Sequence, residues 1–122
     1  MNATTLPLIT KLARAAAVLL TLGLFTIGSI PAAGEAFPGA MHWIAHLSAY
    51  ALVAFAFAFG LGWPLQPAVH VSAFVALIGT IHEATEIITH SHAFESEDVI
   101  INAIGALIGV ALQRAMQRAV HR

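Results

Sequence analysis

The chain has 122 residues, of which 59% are hydrophobic and 9% charged, against about 25% charged in soluble domains, so it has the composition of one membrane-embedded domain and not of a water-soluble one. The lack of cysteine excludes disulfides, thiolate metal ligands, iron–sulfur clusters and cysteine nucleophiles. A net charge of -1, with no Lys/Arg cluster on a polar segment, leaves nothing to hold nucleic acid, and the side chains left for chemistry are histidine and carboxylate.

Four apolar stretches approach the roughly 20 residues that a helix needs to cross about 30 Å of hydrocarbon. Runs of this length without strict alternation are helices. The first covers about 12–30 and stops at Pro31, after which Gly34, Glu35, Pro38 and Gly39 predict a short loop. Read as a signal peptide, it would use Lys11 and Arg14 as the n-region and the small residues of 31–36 as the cleavage site. Its apolar run exceeds an ordinary h-region of about 7–15 residues, which favours a span. The second starts near Met41, passes through an Ala/Phe run over 51–59 and ends at Gly60, Gly62, Trp63 and Pro64, with Trp63 placed as an interfacial aromatic. The third follows Pro67 and covers 68–89. A polar loop over 90–97 leads to the fourth, which opens near Asp98, where Glu95, Glu97 and Asp98 suit the positive end of a helix dipole. It runs to about 118, among Arg114, Arg118 and Arg122. The expected fold is an all-α integral membrane four-helix bundle, one domain over 1–122, with helices at roughly 12–30, 41–62, 68–89 and 98–118.

Orientation follows from the five basic residues. Lys11 and Arg14 precede the first helix, Arg114, Arg118 and Arg122 end the last, and an even number of crossings puts all of them on one side. The positive-inside rule makes that side cytoplasmic, so both termini are expected inside. All six acids then fall in the outer half, with Glu35 in the first outer loop, Glu95, Glu97 and Asp98 in or beside the second, and Glu83 and Glu86 near the outward end of the third helix.

An ionisable residue within a membrane helix costs about 2.5–3.5 kcal/mol on insertion scales and marks a functional candidate by default. At 100° per residue, Gly79, Glu83, Glu86 and His90 fall within an arc of about 60° on the third helix, with His82 one step outside. Asp98, Asn102, Gly105 and Gly109 share a similar arc of about 60° on the fourth, so a polar pair continues into a Gly-xxx-Gly surface that allows close helix approach. His42, His46 and Tyr50 step down one side of the second. These stripes lie at similar depth, and the simplest packing puts them around one polar chamber.

The bland alternative is that the polar groups only tie the helices together, at about 0.6 kcal/mol per bond. Against it stands the density of ionisable groups, where Ser, Thr and Asn would serve at lower insertion cost. His82-Glu83-Ala84-Thr85-Glu86 lacks the second histidine of the zinc-protease helix. Glu83, Glu86, His90 and His46 offer ligands suited to zinc or another divalent ion, and His46 offers an axial haem ligand; no spacing demands either, so no metal or cofactor is assigned, and a metal- or haem-binding four-helix membrane protein stays an alternative. His70 and His121 fall toward the inner side, away from the chamber.

On these residues the chain resembles the VanZ-like family, named for a protein associated with resistance to the glycopeptide antibiotic teicoplanin, over about the last two thirds of its length. Family members carry a histidine followed four residues later by tyrosine, as His46 and Tyr50 are here. A glycine then precedes a glutamate by four residues, as Gly79 precedes Glu83, although Glu86 replaces the family's glutamine. An aspartate, an asparagine and a glycine open the last helix, as Asp98, Asn102 and Gly105 do. His92 stands where the family's arginine usually falls, and His42 and Trp43 stand where an Asp-Lys pair often precedes the histidine. Without that lysine and arginine, a phosphate-like ligand suits this chain less than it suits the wider family.

The resemblance implies a multi-pass protein of the bacterial inner membrane, linked to the cell envelope and to glycopeptide resistance. Its outward chamber would bind a small polar or lipid-linked ligand, or a proton, at His46, Tyr50, Glu83, Glu86, Asp98 and Asn102. Whether it is an enzyme stays open. A catalytic reading makes Glu83 a general base, Asp98 its partner and His46 a proton shuttle. The competing class is a non-catalytic accessory subunit of a larger membrane complex, with membrane lipids as its other partners. The orientation is testable because the chain has no cysteine of its own. With cysteine introduced in turn at Gly34, Gln66 and Ser91, a membrane-impermeant thiol reagent on intact cells should label positions 34 and 91 but not 66, and labelling of 66 alone would reverse the orientation.

Overall fold

The computed structural model describes residues 5–61, 68–90 and 93–120. These form helices α1 (Thr5–Gly28), α2 (Pro31–Glu35), α3 (Ala40–Leu61), α4 (Ala68–His90) and α5 (Ser96–Val120). Four of them, all except α2, are long and apolar enough to cross a membrane, which is the multi-pass all-α bundle that composition demands. Gly62, Trp63, Pro64, Gln66, Pro67, Ser91, His92, His121 and Arg122, together with the side chain of His90, lie outside the described part.

The helix limits depart from the sequence expectation in three places, each for a local reason. First, α1 begins at Thr5 and not near residue 12, so Lys11 and Arg14 sit within the helix instead of ahead of it. Pro7 in the first turn is compatible with this start, since no intrahelical donor is needed there, and Lys and Arg are good helix formers whose long stems let the charge reach an interface. The helix ends at Gly28 because Ile30, ahead of Pro31, is pushed out of the helical region. Second, the expected loop after Pro31 contains the single turn α2. Gly39, at φ 60, then makes a left-handed turn that suits glycine, and its carbonyl accepts from the His42 amide to start α3. Third, α5 opens at Ser96, two residues before Asp98, where the Glu95 carbonyl accepts from the Asp98 amide.

Helix α3 is the hub, with its most extensive packing against α5 and then α1, while α4 packs mainly on α5. The bundle is small and polar inside and large and apolar outside. Its core consists of Tyr50, Val53, Ala54 and Ala58 from α3, Val71 and Val75 from α4, and Ala106 and Val110 from α5. Leu19, Leu52, Leu77, Ile88, Ile100 and Leu107 point outward, as lipid contact requires. In hydrocarbon the gain on association comes from close packing and interhelical hydrogen bonds, not from burial of apolar surface, and the α3–α5 contact reflects this. Added Cβ atoms on Gly105 and Gly109 would run into the backbone of Leu47 and Ala51. Helix α1 is more loosely attached, with 6% of its span buried against 33% in each of the others. The Arg14 Nε–H donates to the Gly60 carbonyl at 2.6 Å, which satisfies one of the carbonyls left open at the end of α3 and ties α1 to it.

Paired glycine-to-alanine changes separate close packing from helix propensity. Gly109→Ala should destabilise the purified protein by about 1–3 kcal/mol, because its methyl meets a main-chain carbonyl that cannot step aside. Gly23→Ala, with open space at the same atom, should be neutral or stabilising by up to about 1 kcal/mol. Equal behaviour in a denaturation titration in micelles would mean that α3 and α5 are not in backbone contact.

Candidate functional site

α3 and α5 enter the bundle at the end where α4 leaves it, so the first half of α3, the last half of α4 and the first half of α5 share one depth. The side chains that meet there are polar. His42 Nε2 lies 2.7 Å from Asp98 Oδ2. One turn further along α3, His46 Nδ1 lies 3.0 Å from Asn102 Oδ1. An amide oxygen only accepts, so His46 donates through Nδ1–H, and in the neutral ring Nε2 is then the nitrogen with the lone pair. That Nε2 lies 3.9 Å from Asp98 Oδ2, and Nδ1 lies 3.8 Å from Glu83 Oε1. His46 is thus the junction of three helices, within reach of a residue from α4 and two from α5.

The chamber extends toward α1. His82 Nε2 sits 3.5 Å from Glu86 Oε1, and Phe25 of α1 meets the His82 ring edge-on at 5.1 Å between centroids. Tyr50 lies beside both His46 and His82, at 6.4 and 6.3 Å between centroids. Two glycines make room for this cluster. A Cβ at Gly79 would come within 2.9 Å of the Asn102 Cβ and 3.2 Å of the Tyr50 ring, and one at Gly28 would overlap His82 and lie 2.9 Å from Glu86 Oε1.

All six residues singled out from the sequence therefore lie at one end of the bundle. His46, Glu83, Asp98 and Asn102 form the direct junction, Glu86 turns toward α1 with His82, and Tyr50 forms the floor. Two residues outside that set belong to the cluster. His42 pairs with Asp98, and its signal was the spacing of four from His46, which places both on one helix face. His82 is buried, although the helical wheel puts it one step off the stripe, because Phe25 and Gly28 of α1 pack against it. His70 is exposed near the start of α4, remote from the chamber. His92 and His121 lie outside the described part.

The polar groups of the cluster are not all satisfied. Glu83, Asp98 and Asn102 are each no more than 1% exposed, yet Glu83 Oε1, Asp98 Oδ1 and the Tyr50 hydroxyl have no hydrogen-bond partner among the described residues. Buried unpaired groups are rare in folded proteins and call for a water, an ion or a ligand. The basic side chains of the sequence are Lys11, Arg14, Arg114, Arg118 and Arg122, and none comes from the stretches that build the chamber.

A cavity of about 220 Å³ opens beside the cluster, bounded by His42, His46, Tyr50, His82 and Glu86 on its polar side and by Leu24, Ile27 and Phe37 on its apolar side. Leu24, Ile27 and Ala49 also border a larger apolar groove that runs between α1 and α3 past Leu19, Leu20 and Leu52. The cavity, mostly apolar but edged by the histidines and Glu86, and the groove are thus neighbours that share Leu24, Ile27 and Ala49 in their walls. No protein-family model matches the chain, and neither a curated protein nor a solved structure matches it significantly. The chemistry of the site rests on its own geometry.

Proposed function

We propose that this chain is a VanZ-like protein of the bacterial inner membrane that binds a lipid-linked amphiphile, with both termini cytoplasmic and the chamber in the outer half of the bilayer. The observation that carries the reading is that the cavity edged by His42, His46, His82 and Glu86 lies next to the apolar groove, with Leu24, Ile27 and Ala49 in the walls of both. A head group in the cavity would meet His42, His46, His82 and Glu86 while its chain lay along α1 and α3. The loose attachment of α1 gives such a molecule lateral entry from the bilayer. Imidazoles and carboxylates without a nearby lysine or arginine favour hydroxyl- or amine-bearing head groups. The segregation of all five basic residues supports the orientation.

Retention of a native amphiphile tests this directly. Protein extracted into lipid nanodiscs and examined by native mass spectrometry should keep one amphiphile per chain that is enriched over the bulk lipid. Ala49→Phe, which adds bulk to the wall that cavity and groove share, should reduce that retention about tenfold or more, a change of about 1.4 kcal/mol or more, with the helical circular dichroism preserved. Adducts that simply mirror bulk lipid, or full retention in Ala49→Phe, contradict the proposal.

A further inference from the structure

One ligand atom each from His42, His46 and Asp98 lie within 4.8 Å of one another, a grouping that amphiphile binding does not require. We propose that these three residues bind one divalent first-row transition-metal ion, with zinc as the best fit, and leave a further coordination position open beside the cavity.

The donor set and its spacing carry the inference. His42 and His46 are four residues apart on α3, the separation that turns two imidazoles to one face of a helix, and their rings stand 4.4 Å apart between centroids. Asp98 reaches them from α5, with Oδ2 at 2.7 Å from His42 Nε2 and 3.9 Å from His46 Nε2. Zinc bonds to nitrogen and oxygen of about 2.0–2.2 Å in tetrahedral geometry put neighbouring ligand atoms roughly 3.3–3.6 Å apart. The first distance must therefore open, and the second close, by less than about 1 Å, which side-chain rotation supplies. Two nitrogens and one carboxylate oxygen suit zinc and its neighbours, whereas calcium and magnesium take six or more oxygens.

Two further features point to an ion. The Asn102 carbonyl holds His46 in the tautomer with hydrogen on Nδ1, which frees Nε2 toward Asp98. A metal-bound imidazole takes the same support from its second nitrogen. The second feature is charge: Glu83, Glu86 and Asp98 are all buried, with Asp98 Oδ1 and Glu83 Oε1 lacking a hydrogen-bond partner among the described residues and no lysine or arginine in these helix segments. A dication offsets what the basic residues do not. Three protein ligands and one open position is the arrangement of reactive zinc sites, not of closed structural ones, and His42 and His46 also border the cavity.

The test uses the full chain in detergent micelles, stripped with a chelator and titrated with Zn²⁺ alone by calorimetry and with Co²⁺ as a visible-absorption probe, so that it does not depend on any amphiphile. One Zn²⁺ per chain should bind with a Kd at or below the micromolar range, and Co²⁺ should show the intense bands of a tetrahedral site. His46→Ala and Asp98→Asn should abolish stoichiometric binding. Asn102→Ala should keep the stoichiometry and weaken affinity about 10–100-fold, and His70→Ala should change nothing. Zn²⁺ should also raise the melting temperature of the wild type but not that of His42→Ala, a readout that holds if one of the other variants fails to fold. Binding below one ion per chain in the wild type, or unchanged affinity in folded His46→Ala and Asp98→Asn, overturns the proposal and leaves His42–Asp98 as a hydrogen-bonded tie between α3 and α5.

Discussion

A carboxylate or imidazole carried into hydrocarbon has to find its partners inside the protein, and this requirement shapes the bundle. At about 2.5–3.5 kcal/mol for each charged group, the chain could not hold Glu83, Glu86 and Asp98 on lipid-facing surfaces. All three are buried, and His42 and His46 pair with Asp98 and Asn102 on α5. His46 is central because it reaches both α4 and α5. The apolar core of Val53, Val75, Ala106 and Val110 then continues below this polar layer. Small residues serve the same end. Gly105 and Gly109 bring α5 against the backbone of α3, which sets the separation at which Asn102 and Asp98 meet His46 and His42.

Helix α1 stands in a different relation to the bundle. It brings apolar residues and Phe25 to the open side of the chamber, and Gly28 admits His82 and Glu86 close to its backbone. Its own surface is mostly unburied, so it acts more as a wall than as a strut. The Arg14 tie to Gly60 anchors its far end and leaves the end near the cavity held mainly by side-chain packing. A wall fixed at one end beside a cavity edged by polar side chains suits a site entered from the membrane, and the two histidines that face Asp98 border the same cavity.

Much of this was legible in the residues. The four spans follow from composition and length, and helical-wheel arithmetic placed Glu83 with Glu86, and Asp98 with Asn102, on the faces that come together. Errors arose where local chemistry decides. Lys11 and Arg14 read as flanking charge, yet a helix extends through both, since basic side chains can reach an interface from inside a span. The turn α2 is too short to show a period. The helical wheel puts His82 one step outside the stripe, whereas its burial owes to Phe25 and Gly28 of α1 packing against it, which no single-helix pattern reveals. Four crossings already put the starts of α3 and α5 at the same end, but the pairing of His42 with Asp98 depends on which faces of the two helices touch, a tertiary fact.

The state of the His46 ring is the most direct measure of the junction. Nitrogen-15 solid-state NMR of histidine-labelled protein in lipid bilayers, with His46 assigned by comparison with His46→Gln, distinguishes a protonated Nδ1 from a protonated Nε2. With Asn102 accepting from His46, the signal should be that of a single Nδ1–H tautomer and should become mixed in Asn102→Ala. An Nε2–H ring in the wild type, or a spectrum indifferent to Asn102, would contradict the three-helix junction on which the cavity and both proposals depend.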